Sequence, residues 1–130
     1  MQNTTVIKSR RYEVLAICIE DGNGNIIETP AIDFLMAECL QGKNNQPFKG
    51  FSELFDRYSE DELQSLTKSS FHLADNDEKI FEFIKGPYRI FCFRDGNKVI
   101  LTNGARKKTQ KAAPRDIGKA ITYKNNYFNN

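Results

Sequence analysis

Histidine and cysteine are scarce in this chain. Its one histidine, His72, has no second imidazole to share proton transfer with. Three cysteines, Cys18, Cys39 and Cys92, are an odd number in apolar settings, and none stands at CxxC spacing. That pattern excludes a disulfide framework and speaks against a zinc site, leaving reduced core thiols. No apolar run approaches the roughly 18 residues of a membrane span. Residues 1–11 are polar and lack the apolar centre of a signal peptide, so a cytoplasmic location is expected. Internal repeats and low-complexity segments are also missing.

What is present suits one packed domain over residues 1–130, with 39% hydrophobic residues, 10 Phe and 5 Tyr. The net charge of +2 conceals a separation. Residues 1–84 carry 8 Lys/Arg against 15 Asp/Glu, a net −7, and residues 85–124 carry 11 against 2, a net +9. A segregated basic block fits a polyanion partner such as RNA, DNA or an acidic protein. The plainer alternative is a solvated basic face.

Residues 11–19 (RYEVLAICI) predict a strand, and Asp21-Gly22-Asn23-Gly24 a turn. Thr29 as N-cap and Pro30 open a helix over residues 30–42. Ile32, Leu35, Met36, Cys39 and Leu40 form its apolar face, and Gly42 ends it. Phe51, Leu54, Phe55 and Tyr58 predict a second helix over residues 50–67, restarting at a Ser59/Glu62 capping box. Three strands follow at 79–84, 88–94 and 98–102, with Gly86-Pro87 and Asp95-Gly96-Asn97 as turns. Pro114 opens a last helix, with Ile117, Ala120, Ile121 and Phe128 on one side. The expected class is α+β, with an antiparallel sheet and helices on one face.

The segment after the last strand is the richest in chemistry. Gly104 is expected to permit a bend. Arg106, Lys107, Lys108 and Lys111 then place four cations in six residues, with Thr109 and Gln110 as neutral hydrogen-bonding groups. Such a cluster at a strand end suits phosphate recognition, and the N–H groups of the following helix could face the same anion. A solvated charged loop is the competing reading.

The stretch GPYRIFCFRDGNKVILTNGARKKTQKAAPRDIGKA resembles the C-terminal half of RelE/HigB-type toxins of bacterial toxin–antitoxin pairs, nearest to a phage-derived HigB-like branch. Tyr88-Arg89-Ile90, the run Gly104 to Lys111 and Pro114 carry the resemblance. The chain departs from it at Ala105, where the branch has Phe, and in one extra residue between Lys111 and Pro114. The resemblance implies a RelE-like fold: an antiparallel sheet with two N-terminal helices packed on one face, and a C-terminal helix. It implies a ribosome-dependent mRNA endonuclease with no metal or cofactor, in which the RNA 2′-hydroxyl attacks the adjacent phosphate. Arg89 would contact the scissile phosphate. Lys107 and Lys108 would stabilise charge or carry protons, and Thr109 would hold a phosphate or orient a lysine. Lys85, placed on the same face, and Arg106, Lys111, Arg115 and Lys119 would grip flanking RNA. The implied partners are mRNA on the ribosome and a cognate antitoxin, a helix-turn-helix protein. A non-catalytic relative acting on a protein such as gyrase, and a plain RNA-binding module, stay open.

Each of these residues also has a quieter reading. Arg89 could be a sheet residue paired with Glu82. His72, outside the basic block, could be a satisfied structural histidine. Tyr123 and Tyr127 suit helix packing better than base stacking, and Phe81, Phe83, Phe91 and Phe93 suit the core.

Overall fold

A computed structural model describes residues 1–40, 45–107 and 113–129. Strands β1 (Gln2–Ser9), β2 (Glu13–Glu20) and β3 (Ile26–Glu28) lead into helix α1 (Pro30–Phe34), which continues as a wider π-helical turn, Leu35–Cys39. Helix α2 (Gln46–Asp61) follows. Strands β4 (Phe71–Asp75), β5 (Ile80–Lys85), β6 (Tyr88–Asp95) and β7 (Lys98–Arg106) precede helix α3 (Pro114–Asn129).

The seven strands form one sheet in the order β1-β2-β7-β6-β5-β4, with β3 paired to the far end of β2. Pairing is antiparallel except between β2 and β7, where Glu13–Ala16 run parallel to Lys98–Leu101. The result is a mixed α+β fold whose last four strands form a meander.

The central strands read as unbroken apolar runs because both of their faces are buried. On one face Val14, Ala16, Phe83, Ile90, Cys92 and Leu101 pack under α1 and α2. On the other, Leu15, Ile17, Phe91, Phe93 and Ile100 pack with Ala120 of α3. The expectation of helices on one face therefore holds for α1 and α2 but not for α3. The three cysteines are free and buried.

Several local expectations also change. Thr29 caps α1 without a side-chain bond. Asp33, in the first turn, instead accepts the Thr29 N–H at 3.0 Å. Beyond α1 the wider turn buries Leu35 and Cys39 but leaves Met36 and Leu40 exposed. Gly42 lies outside the described residues. Ser59 starts no new helix: it is buried inside α2, where its Oγ donates to the Asp56 carbonyl. Glu62, with φ of 57°, ends that helix. Gly104 lies within β7 and marks close packing against Phe34.

Candidate functional site

The β5–β6 turn sets the geometry. Gly86, with φ of 57°, makes it tight, and Arg89 follows three residues on. In the β6–β7 register Arg89 faces Ala105 and Tyr88 faces Arg106. The Lys107 N–H then donates to the Pro87 carbonyl at 2.7 Å, folding the chain after β7 onto the same turn. Arg89 and Lys107 thus meet at one end of the sheet.

Strand alternation assigns the faces. Arg89 shares its side with Phe91 and Phe93, beneath α3. There a groove of about 620 Å³ runs between sheet and helix, lined by His72, Asp75, Glu82 and Lys107 on one side and Pro114 and Ile117 on the other. Lys85 pairs with Tyr88 and so takes the opposite face, where it lines a separate cleft with Lys49 and Gly50. Arg106 joins it there, 5.7 Å above the Tyr88 ring. Lys85 is therefore not beside Arg89, and the cation run divides between Arg106 and Lys107. Lys108, Thr109 and Lys111 lie outside the described residues.

Behind the groove stands a chain of charged groups. Glu82 is 2% exposed. Its Oε2 meets Nε2 of His72 at 2.7 Å, and its Oε1 faces Nε of Arg89 at 3.3 Å. His72 Nδ1 contacts the Lys68 carbonyl at 2.9 Å. A carbonyl only accepts, so Nδ1 carries a hydrogen. Arg89 donates through Nη1 to the carbonyls of Gly86 (2.7 Å) and Tyr88 (3.0 Å). Its Nη2 has no partner among the described residues. Nη1 is thus bonded to the protein and Nε faces a carboxylate, which leaves the Nη2 side for an anion.

The pairing of Arg89 with Glu82 is real, and both nitrogens of His72 are satisfied. His72 lies outside the basic block in sequence, yet it lines the groove with Lys107 and reaches Arg89 through Glu82. Glu82 is the residue that sequence reasoning undervalued. Its signal was its place in KIFEFI, at the parity of the buried Ile80.

Residues 49–125 match the family described as Phage derived protein Gp49-like (DUF891), more than half of the chain. The chain belongs to the Gp49-like family. This is a RelE/HigB-like toxin family associated with toxin–antitoxin systems, which supports a toxin role and an antitoxin partner. No curated protein matches the chain. The span shared with the Gp49-like family takes in most of α2, β4 to β7 and most of α3, so His72, Glu82, Arg89 and Lys107 all lie within it.

Elsewhere in this Gp49-like chain, Arg115 is exposed at the start of α3, and Lys119 lines another cleft with Glu28, Asp33 and Tyr123. Tyr127 packs edge-on against Phe93 and donates to Asp95 at 2.8 Å. Burial, with Asp95 adding to it, pushes the Tyr127 hydroxyl up to about 12. Burial also raises Tyr123. Both tyrosines pack α3 onto the sheet. Phe83, Phe91 and Phe93 are fully buried, and Phe81 packs on the Phe83 side of the sheet. Burial lifts the thiols as well, Cys39 to about 11 and Cys92 well above the ordinary range, which makes them poor nucleophiles. No described helix is long and apolar enough to cross a membrane.

Proposed function

We propose that residues 1–130 form one RelE-like toxin domain of the HigB-like branch, a cytoplasmic, ribosome-dependent endoribonuclease that cuts mRNA. The observation that carries this reading is the guanidinium of Arg89, whose Nη2 has no partner among the described residues, held by Glu82 of the groove at the sheet end that Lys107 also reaches, inside the family-matched span. In metal-free cleavage the 2′-oxygen bonds to phosphorus and gives up its proton. The P–O5′ bond breaks, and the 5′-oxygen takes a proton. Negative charge grows on the phosphoryl oxygens between these events, and a guanidinium fork disperses it. Arg89 takes that role. Lys107 and Lys108 stabilise charge and carry protons, and Thr109 holds a phosphate oxygen. Lys111, Arg115 and Lys119 extend the basic path along the RNA, while Lys85 and Arg106 serve RNA that wraps round the sheet end. A helix-turn-helix antitoxin covers the basic face with acidic side chains.

Expression in growing cells tests the reading. The wild-type chain should arrest growth and leave cut transcripts. Arg89→Ala, and Lys107→Ala with Lys108→Ala, should restore growth, since losing one donor to a transition-state charge costs about a hundredfold to a thousandfold in rate. Arrest with intact transcripts and halted replication would contradict the reading and favour a gyrase target. No arrest at all would favour a plain binding module.

A further inference from the structure

We propose that Glu82 is a positioning residue, which sets the guanidinium of Arg89 at the angle that presents Nη2 to RNA and is itself braced by His72. The inference rests on the reading of Arg89 as the phosphate contact.

Three observations carry it. Glu82 is a carboxylate 2% exposed in the middle of a strand, flanked by Ile80 and Ile84, in a place where an apolar residue would pack. A buried ion pair is weak evidence for stability, because desolvation offsets the attraction. The two groups it joins, His72 and Arg89, stand on the neighbouring strands β4 and β6, so Glu82 ties three strands at the level of the groove. The pair is also oblique. Glu82 Oε1 and Arg89 Nε lie 3.3 Å apart, yet neither completes a directed hydrogen bond, and both are buried. A buried polar atom without its bond calls for an explanation, and a role in the site is one such explanation.

The remaining fixings agree. Nη1 of Arg89 is fastened to the carbonyls of Gly86 and Tyr88, which holds the side chain's reach. Rotation about that anchor is left to Nε, and the only carboxylate within ion-pair distance of it among the described residues is Glu82. His72, whose side chain is 41% exposed, fixes the other oxygen of Glu82 from the solvent side. Asp75 and Lys107 also line the groove, but neither forms an ion pair with this trio.

Two measurements on the full chain test the proposal. The first needs no RNA. The Arg89 Nε–H signal in a ¹H–¹⁵N spectrum, assigned by its loss in Arg89→Lys, should be displaced and slow to exchange in the wild-type chain. In Glu82→Gln it should return to the position of a solvated arginine. If Glu82→Gln does not fold, His72→Ala, on the exposed side of the trio, should move the same signal. A signal indifferent to the variant that folds overturns the proposal. The second is cleavage on programmed ribosomes. Glu82→Gln should lower kcat on the order of tenfold to a hundredfold, as a misplaced group does, with KM little changed. Combined with Arg89→Ala it should add no further loss, because both changes remove one interaction. Losses that multiply would overturn the proposal. A wild-type chain that cleaves nothing would overturn the proposed activity instead, and the spectrum would still decide whether Glu82 sets Arg89.

Discussion

A missing side chain at Gly104 lets α1 sit on the sheet. A Cβ there would lie 2.3 Å from Cδ2 and 2.4 Å from Cγ of Phe34, whose ring also packs edge-on to Tyr88 at 6.3 Å. Gly104→Ala must displace that ring, and overpacking of this kind costs about 1–3 kcal/mol. The urea midpoint should fall, and Phe34→Leu should recover part of the loss. An unchanged midpoint would mean that α1 yields freely. The sequence marks Gly104 as special, because glycine inside a strand signals either a bend or a close approach. It does not say which, since Phe34 is 70 residues away along the chain. Glu82 and Arg89 are legible in the same partial way: parity puts both on one face, but only the β4–β5 register brings His72 to them.

Among the elements, α3 is held by its far end. Phe93 and Tyr127 stack edge to face at 5.1 Å, and the Tyr127 hydroxyl donates to the Asp95 carboxylate. Tyr127→Phe should cost about 1–2 kcal/mol, the worth of a hydrogen bond to a charged acceptor. The pH dependence has a definite sign. The folded chain keeps the Tyr127 proton up to about 12, against the ordinary value of 10.0, so it binds more protons than the unfolded chain between those limits. The bond's stabilisation is complete below pH 10 and fades as pH rises towards 12. The melting-temperature gap between wild type and Tyr127→Phe should narrow over that window, and a constant gap would rule the bond out. Elements that bury a strong pattern were visible in advance: β2, β5, β6, β7 and the apolar faces of α2 and α3. Strands β1 and β4 were not. The first is a polar edge strand (QNTTVIKS), and the second has only five residues (FHLAD), so neither shows a sustained alternation.

For the whole molecule, the separation of charge survives folding unevenly. The acidic groups of α2 and its end find local partners: Asp56 with Lys8, Glu60 with Arg10, Glu53 with Arg57 and Glu62 with Arg94. Among the described residues Lys85, Lys107, Arg115 and Lys119 have no ion-pair partner. Arg89 and Arg94 of the basic half are drawn into pairs with Glu82 and Glu62, and the cations without a partner carry the field that remains. Affinity for RNA should fall steeply with salt, with the logarithms linearly related, and Lys107→Ala should flatten the slope by about one unit. A flat dependence would remove the basic face from the interface. This asymmetry was plain in the sequence, whereas the assignment of Arg106 and Lys107 to opposite sides needed the register of β7. The most direct test of the central claim is the chemistry of the cut ends, read from mRNA cleaved by the purified chain on programmed ribosomes. Attack by the 2′-hydroxyl requires a 5′-hydroxyl on the downstream fragment, a cyclic phosphate or 3′-phosphate on the upstream one, and no cut where the scissile nucleotide is 2′-deoxy. A 5′-phosphate on the downstream fragment, with cleavage persisting at the 2′-deoxy position, would contradict the account.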